Sequence, residues 1–115
     1  MGVIIMGTNY YLVKKKPTLD RTLHIGKASA GWRFLFYKPA IYEVDRPLNT
    51  FEQWRDYLKE STESHEYVIL DEYEREVEYD ELSEIIAAKQ SENRPDMFDH
   101  CENVNGYRFA SCDFS

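Results

Sequence analysis

Apolar residues recur along this chain in two rhythms, and the rhythms divide it into strand-like and helix-like segments. From Val3 to Val13, β-branched and aromatic residues dominate, which predicts a strand interrupted by a bend or bulge at Gly7-Thr8-Asn9. Lys14 to Asp20, with its Lys-Lys-Lys-Pro run, reads as an exposed loop. Leu23-His24-Ile25 is a short strand, and the small residues from Gly26 to Gly31 read as a turn. Trp32 to Tyr37 then alternates with period two. Trp32, Phe34 and Phe36 share one face, and Arg33, Leu35 and Tyr37 share the other. Pro39 interrupts the pattern, and Ile41 to Val44 resumes strand character.

Helical spacing starts after Thr50. Thr50-Phe51-Glu52-Gln53 matches a capping box, in which the Thr hydroxyl caps the helix and Gln53 reaches back to the Thr amide. Phe51, Trp54, Tyr57 and Leu58 follow at helical spacing, so a helix is expected over 51–61 with Trp54 and Leu58 on its buried stripe. Tyr67 to Tyr73 alternates again, Val68 and Leu70 against Ile69 and Asp71. Glu74-Arg75-Glu76 makes a turn and Val77 rejoins the sheet. A second helix covers 79–90, with Tyr79, Leu82, Ile85 and Ile86 as its apolar set. Residues 91–105 read as loop-like, and Gly106 to Ala110 as a last short strand. Together these elements predict an α+β domain spanning 1–115, a mostly antiparallel sheet with both helices packed on one face. Residues 1–5 read as an N-terminal extension, with Met6 as an alternative start.

Composition narrows the class. With 115 residues, 43% hydrophobic and 15% aromatic, the chain carries enough apolar surface for one core and too little for two. A disordered acidic tail is excluded by the same aromatics. Val3-Ile4-Ile5-Met6 is too short for a membrane span or a signal-peptide core, so a cytoplasmic, unprocessed protein is expected. Cys101 and Cys112 are too few for a disulfide framework, and their role is left open.

The net charge of −7 is unevenly spread. Residues 1–50 hold eight basic and three acidic side chains, whereas residues 51–102 hold five basic and seventeen acidic ones. Separate surfaces of opposite potential follow if the two halves fold onto different faces. Glu72, Glu74, Glu76, Glu78 and Glu81 are then expected to be exposed, as a solvated edge or as a face that engages a basic protein surface.

Candidate chemistry centres on His24-Ile-Gly-Lys-Ala-Ser-Ala-Gly31. A side-chain-poor loop lets backbone amides approach a phosphate, and Lys27 and Ser29 add a charge and a hydroxyl. The glycine spacing is not that of a P-loop. Trp32, Arg33 and Tyr37, with Tyr10 and Tyr11 nearby, supply planar groups on which a nucleobase stacks. The alternative is a plain hairpin turn with Lys27 exposed. His24, His65, His100, Cys101 and Cys112 show no zinc spacing, and the acids at 71–84 lack a calcium-loop pattern, so no metal or cofactor is implied. No spacing ties His24 to Ser29 or Cys101 as base and nucleophile, and no catalytic residue is assigned.

The pair Met6-Gly-Thr-Asn-Tyr-Tyr11 and Leu23-His-Ile-Gly-Lys-Ala-Ser-Ala-Gly-Trp32 resembles a set of small uncharacterised bacteriophage and prophage proteins, and Asp71-Glu72-Tyr73 with the following helix is similar to their second half. The resemblance covers roughly residues 6–90. It implies a phage setting, in the cytoplasm of an infected or lysogenic bacterial host, and no established activity. Within that setting the first expectation is an anti-defence protein that sequesters a nucleotide-like, phosphate-containing ligand without turnover. It would use His24, Gly26, Lys27, Ser29, Trp32, Arg33 and Tyr37. A second is an acidic inhibitor that occupies a nucleic-acid-binding surface of a host or defence protein through Glu72, Glu74, Glu76, Glu78 and Glu81. A third is a small nucleotide-degrading enzyme with His24 as acid or base. Direct nucleic-acid binding and membrane association are not expected, and a homo-oligomer is left open.

Overall fold

Two-residue alternation yields seven strands and helical spacing yields two helices: β1 (Thr8–Lys14), β2 (Thr22–Ala28), β3 (Leu35–Tyr37), α1 (Phe51–Glu63), β4 (Tyr67–Asp71), β5 (Glu76–Val77), α2 (Tyr79–Lys89), β6 (Glu102–Val104) and β7 (Tyr107–Ala110). They come from a computed structural model that describes residues 7–15, 22–29, 31–40, 42–91 and 102–111. One sheet runs in the order β5-β4-β1-β2-β3-β7-β6. All its pairs are antiparallel except β3 with β7. The chain lays down β1, β2 and β3 side by side, then crosses through α1 to β4 on the far side of β1. From β5 at one edge it passes through α2 to β6 at the other. Both crossings use the same face, which makes the fold α+β and mostly antiparallel, as the sequence predicts.

The core lies between that face and the helices. Trp54 and Leu58 of α1 and Leu82 and Ile86 of α2 are buried against Tyr10, Leu12, Ile25, Phe36, Ile69 and Phe109 of the sheet. Phe36 is the aromatic centre: Phe34 lies edge-on at 4.8 Å, Phe109 stacks at 5.2 Å and Trp54 stacks at 6.5 Å. The Trp54 indole Nε1 also donates to the Tyr37 carbonyl at 2.9 Å, which ties α1 to the end of β3. At the start of α1 the Thr50 hydroxyl accepts from the Gln53 amide at 3.1 Å. Gln53 closes the box one residue earlier than expected, its Oε1 accepting from the Asn49 amide at 2.7 Å.

Several boundaries differ from the sequence reading, each for a physical reason. Thr8 and Asn9 lie in β1, and the irregularity sits between Tyr10 and Tyr11, whose partners Gly26 and His24 skip Ile25. The extra residue is therefore in β2. β2 itself does not stop at Ile25. Gly26 pairs with Tyr10 on one side and Phe36 on the other, so the expected turn at Gly26 is the middle of an interior strand. A Cβ on Gly26 would stand 2.5 Å from Phe34 Cε2 and closer still to the Leu35 carbonyl oxygen. Only glycine lets the Phe34 ring and the β3 backbone come that near.

β3 starts at Leu35, and Trp32 lies before it, half-buried under the Arg108 guanidinium at 5.0 Å. Residues 42–46 turn instead of resuming a strand. β4 ends at Asp71, because the Asp71 carboxylate accepts from the Tyr73 and Arg75 amides, both at 2.9 Å, and folds the chain back. Residues 102–104, expected as loop, form β6 and turn into β7 through Asn105-Gly106. Both turn residues have positive φ, +53° and +88°, the geometry a two-residue hairpin needs. The expected strand start at Val3–Met6, the loop at 16–20 and most of the loop at 91–105 lie outside the described residues.

Burial raises the phenol pKa of Tyr10, with the Asp71 carboxylate adding to it, and burial likewise raises those of Tyr57 and Tyr79. A folded pKa above the unfolded one means that the neutral phenol favours the fold. That stability is fully present below the unfolded value of about 10 and is lost as pH climbs through the folded values. The denaturation midpoint in urea is therefore expected to hold steady up to about pH 9.5 and to fall above about pH 10.5. Tyr10→Phe should flatten part of that fall. A midpoint that declines equally in both proteins would remove Tyr10 as a contributor.

Candidate functional site

Alternation that sends Tyr10, Leu12, Phe36 and Phe109 inward sends Asn9, Tyr11, Leu35, Tyr37 and Arg108 to the opposite face, which neither helix covers. His24 pairs with Tyr11, and Lys27 with Asn9 and Leu35, so both belong to this face. Three rings form a ladder across three strands. Tyr11 and His24 stack at 5.0 Å, and His24 and Tyr37 at 5.7 Å. Both faces of the imidazole are thereby occupied and its edge is what it presents.

A polar chain holds that edge. Glu72 Oε1 accepts from the Asn9 amide nitrogen of the backbone at 2.7 Å and from Asn9 Nδ2 at 3.2 Å. A carboxylate only accepts, so Nδ2 faces Glu72 and Oδ1 faces His24. Asn9 Oδ1 lies 2.9 Å from His24 Nε2, which must then carry the proton. Glu72 thus continues, with its side chain, a ladder that β4 leaves at Asp71. The amide in the middle passes no charge to the ring, so this chain orients the imidazole rather than activating it as a carboxylate would.

The expected ligand residues are distributed as follows. His24, Lys27 and Tyr37 share the helix-free face, with Lys27 half-buried. Ser29 closes on the start of β1: a Cβ on Gly7 would lie 2.6 Å from Ser29 Oγ and 3.0 Å from Lys27 Cε. Arg33 Nη1 donates to the Gly106 carbonyl and Arg108 Nη1 to the Arg33 carbonyl, both at 3.1 Å, so Arg33, Arg108 and Trp32 make a second cluster by β7. Gly26 does not join the face. Its backbone is engaged in the sheet on both sides, so a cradle of loop amides is not available between Gly26 and Ala28. Asn9 and Arg108 were invisible as site residues, since nothing but strand pairing brings them beside His24 and Trp32.

The five glutamates expected as a partner surface separate. Glu72, Glu74, Glu76 and Glu78 are exposed, from the turn after β4 through β5 to the cap of α2, and Glu81 is half-buried. Glu72 is drawn to Asn9, and Glu81 pairs with Arg75 at 2.7 Å. His100, Cys101 and Cys112 lie outside the described residues. Among the described residues no three His, Cys, Asp or Glu side chains gather as a metal site, and no helix is long and apolar enough to cross a membrane.

No protein-family model matches this chain, and no curated protein or solved structure is significantly similar to it.

Proposed function

We propose that the chain is a non-enzymatic binding protein that sequesters a phosphate-containing, nucleotide-like ligand on the helix-free face of its sheet. The observation that carries this reading is the grouping of Lys27 and the Tyr11–His24–Tyr37 ladder on one face that no helix covers. Lys27 supplies the positive charge that favours an anion there, while His24 Nε2–H is spent on Asn9 Oδ1 and the ring serves as the middle of the stack. Because both faces of His24 are taken, a base meets the ladder at Tyr11 or Tyr37 rather than at the imidazole. The phage resemblance supports an anti-defence setting for such a sequestering protein. The fixed tautomer and the neutral amide next to it support binding rather than turnover.

The test is a thermal-shift screen with mono-, di- and cyclic nucleotides, read beside a product assay. Stabilisation with no product is expected, worth about 2.7 kcal/mol at a hundredfold excess over Kd. Lys27→Glu should keep the fold, since the side chain is half-exposed, and weaken the ligand about tenfold or more in calorimetry. A wild-type protein that binds no phosphate compound overturns the reading, and product formation replaces it with the enzyme.

A further inference from the structure

A groove lies between α1 and the turn that follows the end of β3. The stripe of α1 formed by Tyr57, Glu60 and Ser61, with Ser64 just past its end, faces the turn at 42–46, and the groove between them has a volume of about 560 Å³. Four carboxylates line it, Glu43, Asp45, Glu60 and Glu66, against one cation, Arg46. The geometry around that cation is specific. Arg46 Nη1 and Nη2 each meet one Glu60 oxygen at 3.1 Å, in a two-point fork, while Nε meets Asp45 Oδ1 at 3.3 Å. The guanidinium carbon lies 4.7 Å from the centre of the Tyr57 ring. A planar cation over a tyrosine with a carboxylate in its plane is how a guanidinium is recognised.

Two further features extend the site beyond its resident arginine. The last turn of α1 has no basic residue, so no charged side chain of that turn offsets the negative potential of the helix end. On the other side of Arg46 a second cavity of about 490 Å³ opens among Pro39, Ala40, Val44 and Pro47. The two cavities share Val44, Asp45 and Arg46, so an acidic aromatic compartment continues into an apolar one. That sequence of surfaces is longer than any single ion needs and fits an extended peptide.

We propose that this groove binds an arginine side chain on a peptide segment of a basic protein partner, with the neighbouring apolar residue of that segment in the second cavity. The Arg46 pairs are partly exposed, Glu60 at 65% and Arg46 at 37%, so the incoming guanidinium displaces little stability when it shares or takes the Glu60 fork. The groove adjoins the sheet-face ladder, because the Tyr37 hydroxyl donates to Glu43 at 2.8 Å, but the Arg46, Glu60 and Tyr57 contacts involve neither Lys27 nor His24, so the proposal stands or falls without the nucleotide reading.

The test uses a short peptide carrying Leu-Arg, the same peptide with citrulline for arginine, and a third with lysine, each titrated into the full chain by calorimetry. Citrulline keeps the shape and removes the charge. The arginine peptide is expected to bind, the citrulline peptide not to bind, and the lysine peptide to bind about tenfold more weakly, because it cannot form the fork. Glu60→Gln should weaken the arginine peptide about tenfold, whereas Glu63→Gln, an exposed neighbour outside the groove, should leave it unchanged. Both variants should melt close to the wild type. Overturning results are no binding of the arginine peptide, equal binding of arginine and citrulline peptides, equal binding of arginine and lysine peptides, or equal loss in the two glutamate variants. Lys27→Glu leaves this titration unchanged, which separates it from the sheet-face experiment.

Discussion

Trp54→Ala is expected to remove about 3–5 kcal/mol of stability, the range for emptying a fully buried large aromatic site. At this chain length that lowers the melting temperature by about 10–20 °C. Trp54 is fully buried, stacks on Phe36 and lies 6.4 Å from Tyr57 between ring centres. Its indole also donates from α1 to the Tyr37 carbonyl. Trp54→Phe separates the two contributions. Phenylalanine retains most of the packing but leaves that carbonyl without its donor, so a loss of about 1–3 kcal/mol is expected. Chemical denaturation of both variants checks the pair. If Trp54→Ala loses less than about 1 kcal/mol, the size of an average substitution, the indole is not the wedge between helix and sheet. The effect extends to the helix-free face of the sheet, because Tyr37, whose carbonyl the indole holds, also ends the ring ladder beside His24.

What the sequence made legible was local. Trp54 and Leu58 could be placed on a buried stripe because helical spacing needs no knowledge of distant residues, and the Thr50 cap is written in four consecutive letters. β4 and α2 were legible for the same reason. The Asn105-Gly106 pair carried a hairpin signal that marks β6 and β7, but the polar run before it masked a strand of only three residues. Pairing across the chain was not legible. Asn9 meets Glu72 across 63 positions, and Arg33 reaches Gly106 across 73. No spacing rule connects such residues, so the polar chain that orients His24 and the Trp32–Arg108 cluster emerge only from strand order. The Arg46 fork was equally hidden, since Glu60 is 14 positions away on a helix face whose orientation depends on the crossing of α1.

Gly26→Ala is the other substitution with a large expected effect, and it decides between two accounts of the same residues. In a side-chain-poor loop the change would be nearly neutral, within about 0.5 kcal/mol, as at most exposed positions. In the interior strand a methyl group would press on the Phe34 ring and on the Leu35 carbonyl oxygen. The ring can turn aside, but the carbonyl belongs to the β3 backbone and can yield only if β3 moves. β2 and β3 are joined at just two register positions, Gly26 with Phe36 and Lys27 with Leu35, so there is little pairing to absorb the shift. A loss of about 3 kcal/mol is expected, at the upper end for overpacking a dense core. Adding Phe34→Leu should recover only part of it, because the carbonyl contact remains. Moving β3 also carries Tyr37 away from His24, so the variant should bind the proposed nucleotide-like ligand more weakly even at temperatures where it is fully folded. A Gly26→Ala protein with wild-type stability would return residues 26–31 to an exposed loop, and with it the backbone amides that the sheet now holds.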